Sequence, residues 1–226
     1  MKIAQDWTEY SIIATGDGYK LERWKDVCLL RPDPQVIWSA QTDLFAYPEL
    51  NAYYKRSEKG GGGWKILKPM PEEWEISYQS LDLRFKIKPM GFKHTGLFPE
   101  QSVNWEYMSA LIKGAGRPIK VLNLFAYTGG ATLAARAAGA ETTHVDSVRQ
   151  VVTWARENME LSGLDGVRWI VEDAMKFVRR EVRRGSRYDA IVLDPPAYGR
   201  GTDGEKWILE EHIGQMLACC AQLLSP

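Results

Sequence analysis

The segment VLDPPAYGRG, residues 192–201, sets a carboxylate and two prolines where an apolar strand runs out. A strand needs backbone donors and proline has none, so the chain must leave its sheet at Asp194. An acid at a strand end can accept a hydrogen bond from an amino or ring N–H of a planar acceptor. Pro195 and Pro196 stiffen the turn behind it without adding a competing donor, and the Tyr198 ring can stack on such an acceptor. Taken alone, Asp-Pro-Pro is more often a plain turn.

Three other stretches give that turn a context. VLNLFAYTGG, residues 121–130, runs from a strand into a helix through Gly129 and Gly130. A glycine-bearing turn lets backbone approach a ligand, and the helix start presents free N–H groups to an anionic moiety. The dinucleotide fingerprint G-x-G-x-x-G is absent because Ala131 follows the pair, which counts against a nicotinamide cofactor. The next strand closes with HVDS, so Asp146 stands about 20 residues after the loop, where an acid can accept from ribose hydroxyls. It could serve equally as N-cap of a helix starting at Ser147. A third strand closes with VEDA, and Asp173 there can accept from an adenine amino group or cap the following helix. A glycine turn and two acids at successive strand ends point to a cofactor that carries a nucleoside.

These groups need a frame, and the second half of the chain supplies its pattern. Strands are predicted at KVLNLF (120–125), TTHVD (142–146), VRWIV (167–171) and YDAIVLD (188–194). Helices are predicted at about residues 130–138, 147–162, 174–184 and 205–224, and this alternation implies a parallel sheet with helices on both faces. Four strands and a last helix are a poor stopping point for such a sheet, so it is expected to be incomplete at the C-terminus. Ahead of it, SVNWEYMSALIK (102–113) reads as a helix with Ser102 as N-cap, stopped by Gly114, Gly116 and Pro118.

Residues 1–90 read as a small β-rich domain and residues 91–226 as an α/β core. In the former, strands are predicted at SIIAT (11–15), KLERW (20–24), VCLLR (27–31) and QVIW (35–38). GGGG (60–63) marks a flexible turn, and WEISYQ with LRFKIK forms a hairpin around Ser80 and Leu81. Most of the nine tryptophans precede residue 110. They suit the core of the β module, or alternatively platforms on which single-stranded RNA bases stack.

Lys plus Arg and Asp plus Glu both number 29, so no overall field draws the 226-residue chain to nucleic acid or to a membrane. A local patch would suffice for RNA. No apolar run approaches the roughly 20 residues of a membrane span. MKIAQDWTEY lacks the apolar region of a secretory signal, and Cys28, Cys219 and Cys220 are too few and too unevenly placed for a disulfide framework. A reducing, cytoplasmic setting follows. All three cysteines read as small core residues. His94, His144 and His212 lack metal-ligand spacing, so no metal is expected. KFVRREVRRGSR (176–187) carries six basic residues against one Glu; Arg179, Arg180, Arg183 and Arg184 lie on the outer face of a helix, either solvated or against an RNA backbone.

In their order and spacing, VLNLFAYTGG, HVDS, VEDA and DPPAY resemble the class I S-adenosylmethionine-dependent methyltransferases, with a Rossmann-like parallel sheet. KLERW, RPDPQVIW and FKHTGLFPEQSVNW extend the resemblance to the bacterial 23S ribosomal RNA large-subunit methyltransferases of the I and K types, over nearly the whole chain. The resemblance implies that Phe125, Ala126, Tyr127 and Gly129 cradle the methionine part of S-adenosylmethionine. It implies that Asp146, with Ser147, holds the ribose, and Asp173 with Ala174 the adenine. Thr95, Phe98 and Gln101 match a lead-in segment that lies over the cofactor in related enzymes. Asp194, Pro195, Pro196 and Tyr198 become the catalytic turn, and RNA, ribosomal RNA above all, the substrate. The chain departs from the pattern at residues 99–102, Pro-Glu-Gln-Ser, where such RNA enzymes often carry Asp-Gln-Arg. Two rivals stand beside this expectation: a methyltransferase of small molecules or proteins, and a non-catalytic RNA-binding protein that keeps the fold.

Overall fold

The computed structural model describes residues 3–4, 6–57, 61–201 and 204–226. They fall into two compact units, Ala4–Pro99 and Glu100–Pro226, the latter joined by Ile3. Residues 91–99 therefore group with the β-rich unit.

In the first unit a five-stranded sheet has the order β1 (Tyr10–Gly16), β2 (Tyr19–Trp24), β3 (Val27–Pro32), β4 (Leu50–Arg56), β5 (Gly62–Ile66). All its pairs are antiparallel except β3 with β4. The predicted hairpin forms as β6 (Trp74–Tyr78) and β7 (Leu83–Ile87), with Asp82 left-handed at φ 52° closing the turn. QVIW is no strand. Val36 and Trp38 instead give their carbonyls to Gly18 N and Asp17 N at 3.0 and 2.8 Å, so this segment folds over the β1–β2 turn. Gly16 lets it approach, because a Cβ there would sit 2.2 Å from Ala40. Of the glycine run expected to be a flexible turn, Gly62 and Gly63 belong to β5 and Gly60 lies outside the described residues. Trp7 and Trp24 are buried among Tyr10 and Tyr78, as a core reading requires, whereas Trp38 is 53% exposed. Within the same core Arg31 bonds both oxygens of the fully buried Glu22, at 2.5 and 2.7 Å. Burial alone would push the Glu22 carboxyl up; Arg31, Lys20 and the Tyr10 hydroxyl hold it below its ordinary value.

The second unit carries a parallel sheet of order β10 (Arg168–Val171), β9 (Glu141–Asp146), β8 (Lys120–Leu124), β11 (Ala190–Leu193). Alternation along β8 splits its side chains between two cores. Val121 packs with Ile112 of α1 (Ser102–Gly114) and Ala135 of α2 (Gly130–Ala137). Leu122 and Leu124 face Phe177 and Val178 of α4 (Ala174–Arg183) and Met216 and Leu223 of α5 (Leu209–Leu223). Between β9 and β10 runs α3 (Arg149–Leu161). The predicted last helix starts late, because residues 198–208 first form an antiparallel hairpin, β12 (Tyr198–Arg200) with β13 (Lys206–Ile208). Ser102 is not an N-cap: a 3-10 turn, Pro99–Gln101, precedes it, and its buried hydroxyl lies inside α1. Leu224 bridges Tyr188 in parallel, and Ser225 N donates to Tyr188 O at 2.8 Å. Among the described residues, no helix is long and apolar enough to cross a membrane.

Beneath the α2 start, Asn123 Nδ2 donates to Thr132 Oγ1 at 2.9 Å, and Thr132 Oγ1 lies 2.9 Å from His144 Nδ1. Burial, with Arg156 nearby, pushes the His144 imidazole down to about 3. The folded state keeps it neutral while the unfolded chain binds a proton below about pH 6.5. Its stabilising contribution is therefore complete above that pH and is lost on acidification, by about 2 kcal/mol at pH 5. Urea midpoints measured from pH 7 to pH 5 should fall, and His144→Gln should fall less steeply; equal slopes would contradict a buried neutral imidazole.

Candidate active site

Strand register brings the sequence-predicted groups to one edge. Leu124 pairs with Val145 and with Leu193, and Val171 pairs with Asp146. Phe125, Asp146 and Asp194 therefore emerge side by side at the carboxyl ends of β8, β9 and β11, with Asp173 two residues beyond the end of β10. Open α/β sheets bind ligands in that crevice.

The loop after β8 is built on left-handed backbone. Phe125 has φ 54°, Tyr127 φ 50° and Gly129 φ 93°. For bulky residues such geometry costs about 1–3 kcal/mol each and persists only where neighbours over-determine it. The neighbours here are specific. Ala126 N donates to Val145 O at 3.1 Å, and Gly129 N to Ala126 O at 3.1 Å. Tyr127 N donates to Asp146 Oδ2 at 2.9 Å, while Val148 N donates to Asp146 Oδ1 at 2.9 Å. Asp146 is thus less the N-cap of a helix at Ser147, since α3 begins at Arg149, than a clamp between two loops. Burial raises its carboxyl above the ordinary value, against the pull of backbone N–H groups from Val148, Tyr127 and Ser147.

Asp173 does cap α4, its Oδ1 accepting from Lys176 N at 2.8 Å, and Ala174 beside it is buried. Asp194 is exposed and accepts from Gln101 Nε2 at 3.4 Å. Gln101 Oε1 accepts in turn from Asn104 Nδ2 at 2.8 Å. Tyr198 is 51% exposed, and its hydroxyl accepts from Arg200 Nε at 3.0 Å. Thr95 and Phe98 belong to the β-rich unit. There Thr95 is buried, and the Phe98 ring meets His94 edge-on at 5.2 Å. Their assignment rests on the lead-in segment alone.

Two features of the site escaped the sequence. Gly130 is needed for packing as well as for the turn, since a Cβ there would lie 2.5 Å from the Trp105 ring. Trp207 on β13 donates from Nε1 to Pro196 O at 2.8 Å, and its period-two setting, Lys-Trp-Ile after a glycine turn, was the available signal. Three arginines of the α4 segment find partners within the chain while lying at or near its surface. Arg179 Nη2 donates to Gln215 at 2.7 Å, Arg180 pairs with Glu172 at 2.6 Å, and Arg184 pairs with Glu181 at 3.1 Å. Cys28 and Cys220 are buried and Cys219 half-buried. Burial pushes the Cys28 thiol up and that of Cys220 to about 11.

Known proteins share this arrangement. Residues 50–226 match the family model of the S-adenosylmethionine-dependent methyltransferases. The structure of an S-adenosylmethionine-dependent methyltransferase from Agrobacterium tumefaciens superposes with a TM-score of 0.91 at 43% identity, over 97% of this chain and 70% of that one. The chain belongs to this methyltransferase family. The structure of SMU.776 complexed with SAH shares the fold, with a TM-score of 0.76 at 20% identity over 98% of this chain and 60% of that one. A relative from Shewanella frigidimarina, named ribosomal RNA large subunit methyltransferase K/L, is 30% identical over 96% of this chain. This chain spans 29% of that protein's length.

The family's cofactor is S-adenosylmethionine, and the crevice suits it. A carboxylate has about four lone-pair sites, and with the backbone amides of Tyr127, Val148 and Ser147 on Asp146 there is room left to accept from a ribose hydroxyl. The α2 start, with Gly129 and Gly130 giving close access, offers N–H groups to the cofactor's carboxylate.

Gly130→Ala should destabilise the methyltransferase by about 1–3 kcal/mol, because Trp105 must move to admit the methyl group. For a chain of this size that lowers the thermal midpoint by several degrees, at about 2–4 °C per kcal/mol. An unchanged midpoint would mean that α1 is not packed tightly against α2.

Proposed function

We propose that this methyltransferase modifies a base in RNA, ribosomal RNA above all, with the unit Glu100–Pro226 as catalytic core and the β-rich unit as the module that meets the substrate. The observation that carries the reading is the parallel register of Leu193 with Leu124, which sets the Asp194 turn beside the cofactor loop. The name of the Shewanella relative supports RNA over other acceptors.

S-adenosylmethionine supplies an electrophilic methyl group carried on a sulfonium. Displacement at such a carbon is in line, so the protein's task is chiefly alignment of a planar nucleophile. In this reading Asp194, oriented by Gln101, accepts a hydrogen bond from an amino or ring N–H of the base. It thereby orients that nitrogen toward the methyl group and receives the proton the nitrogen gives up as the N–C bond forms, while Tyr198 offers its exposed ring for stacking. Pro195 and Pro196 bring no backbone N–H that would compete for the Asp194 carboxylate. Transfer to nitrogen needs no covalent step. Methylation at cytosine C5 would instead need a thiolate adding at C6, a role that the raised thiols of Cys28 and Cys220 do not suit and that a cysteine beyond residues 1–226 could fill. The three cysteines, together with the acceptor class, fit a reducing cytoplasmic setting.

The test is transfer of a labelled methyl group to ribosomal RNA free of modification, followed by nucleoside mass spectrometry. The expected product is an N-methylated base, with Asp194→Ala slower by about 10²-fold or more. Label in a protein or small-molecule fraction and none in RNA would overturn the RNA reading in favour of the first rival.

A further inference from the structure

We propose that Trp207 is a positioning residue that locks the Asp194 turn to the cofactor loop, an inference that rests on the methyl-transfer reading of that turn. Two prolines leave the turn without amide handles at residues 195 and 196, so it can be gripped only through carbonyls or side chains. Both neighbouring carbonyls are gripped as the chain comes back, one by β13 and one by the first residue of α5. Trp207 Nε1 donates to Pro196 O at 2.8 Å, and Leu209 N donates to Ala197 O at 3.0 Å. The indole is 4% exposed, so this hydrogen bond has little competition from water.

The same ring reaches the other half of the site. It packs on Phe125 with centroids 4.8 Å apart and planes tilted by 55°. Phe125 is the bulky residue held at φ 54°, and a conformation so disfavoured needs a neighbour that fills the space into which the ring would otherwise relax. Trp207 is also braced from behind. His212 stacks on it at 5.7 Å and 28°, while His212 Nδ1 lies 2.8 Å from Ile208 O and 3.1 Å from Ile208 N at the start of α5. One rigid side chain therefore touches the methyl-acceptor side through its N–H and the methyl-donor side through its face. Packing alone would ask only for an aromatic ring; the hydrogen bond to the turn asks for indole.

Trp207→Phe separates the two contacts, keeping a ring on Phe125 and losing the donor, whereas Trp207→Leu loses both. In Trp207→Phe, amide hydrogen exchange across residues 194–199 should quicken about three- to tenfold, the worth of one neutral hydrogen bond. Exchange across residues 125–129 and the affinity for S-adenosylmethionine should stay within about twofold. Methyl transfer should fall at least as much as exchange rises, in kcat with KM for RNA little changed. Trp207→Leu should weaken cofactor binding as well. Replacement of Trp207 by benzothienylalanine, which has the indole shape without its N–H, gives the same reading should the phenyl ring leave a destabilising gap. Wild-type exchange at residues 194–199 in both donor-less variants would overturn the proposal. The exchange readout requires no methyl acceptor, so a wild-type enzyme that fails to label RNA counts against the proposed function and leaves this inference to be judged by exchange.

Discussion

The half-buried carboxylate of Asp146 is the interaction on which the rest of the site depends. It is fixed in place by the β8–β9–β10 register, and its two oxygens hold Tyr127 N and Val148 N. Those bonds maintain a loop in which two large residues, Phe125 and Tyr127, sit in left-handed backbone. That strain is stored structure, since a loop so constrained is already shaped before any ligand arrives. Burying the acid has a cost, visible in the upward push on its carboxyl. A strained loop beside a partly desolvated acid at one strand end is hard to explain by stability, and natural for a site that a polyhydroxylated ligand completes.

From that edge the architecture becomes a set of supports. Asn123, Thr132 and His144 fasten α2 to the sheet from below, while Gly130 lets Trp105 of α1 close over the start of α2. On the opposite face α4 and α5 pack against Leu122 and Leu124, and the arginines of α4 tie this layer together. Glu181 is buried, yet receives Tyr188 Oη at 2.9 Å and Arg184 at 3.1 Å.

What was legible in the sequence was whatever is encoded locally. The four parallel strands are apolar runs ended by acids or glycines, and the hairpin around Ser80 alternates cleanly, so their places were readable. Asp146, Asp173 and Asp194 were readable for the same reason. What was hidden depends on distant partners. QVIW alternates like a strand, but Asp33 and Pro34 turn the chain before it, and its carbonyls are taken by the β1–β2 turn. β4 is absent from the predicted strands, and its partner β3 is parallel and reached through a long connection. The start of the last helix was misplaced because Lys206, Trp207 and Ile208 suit either a helix or a strand, and only the contacts of Trp207 with Pro196 and Phe125 decide. The role of Asp146 was only half visible: spacing pointed to a ribose ligand or a cap, whereas its grip on Tyr127 N spans 19 residues.

The central claim is that the Asp146 clamp makes this crevice an S-adenosylmethionine site. Calorimetric titration of the cofactor into the wild-type chain and into Asp146→Asn tests it most directly. Asparagine keeps the shape and can still accept one loop amide, but it offers one acceptor oxygen in place of two. The account predicts micromolar binding to the wild type and a loss of about tenfold or more in the variant, the worth of one hydrogen bond to a charged group. Equal affinities in the two proteins would contradict it.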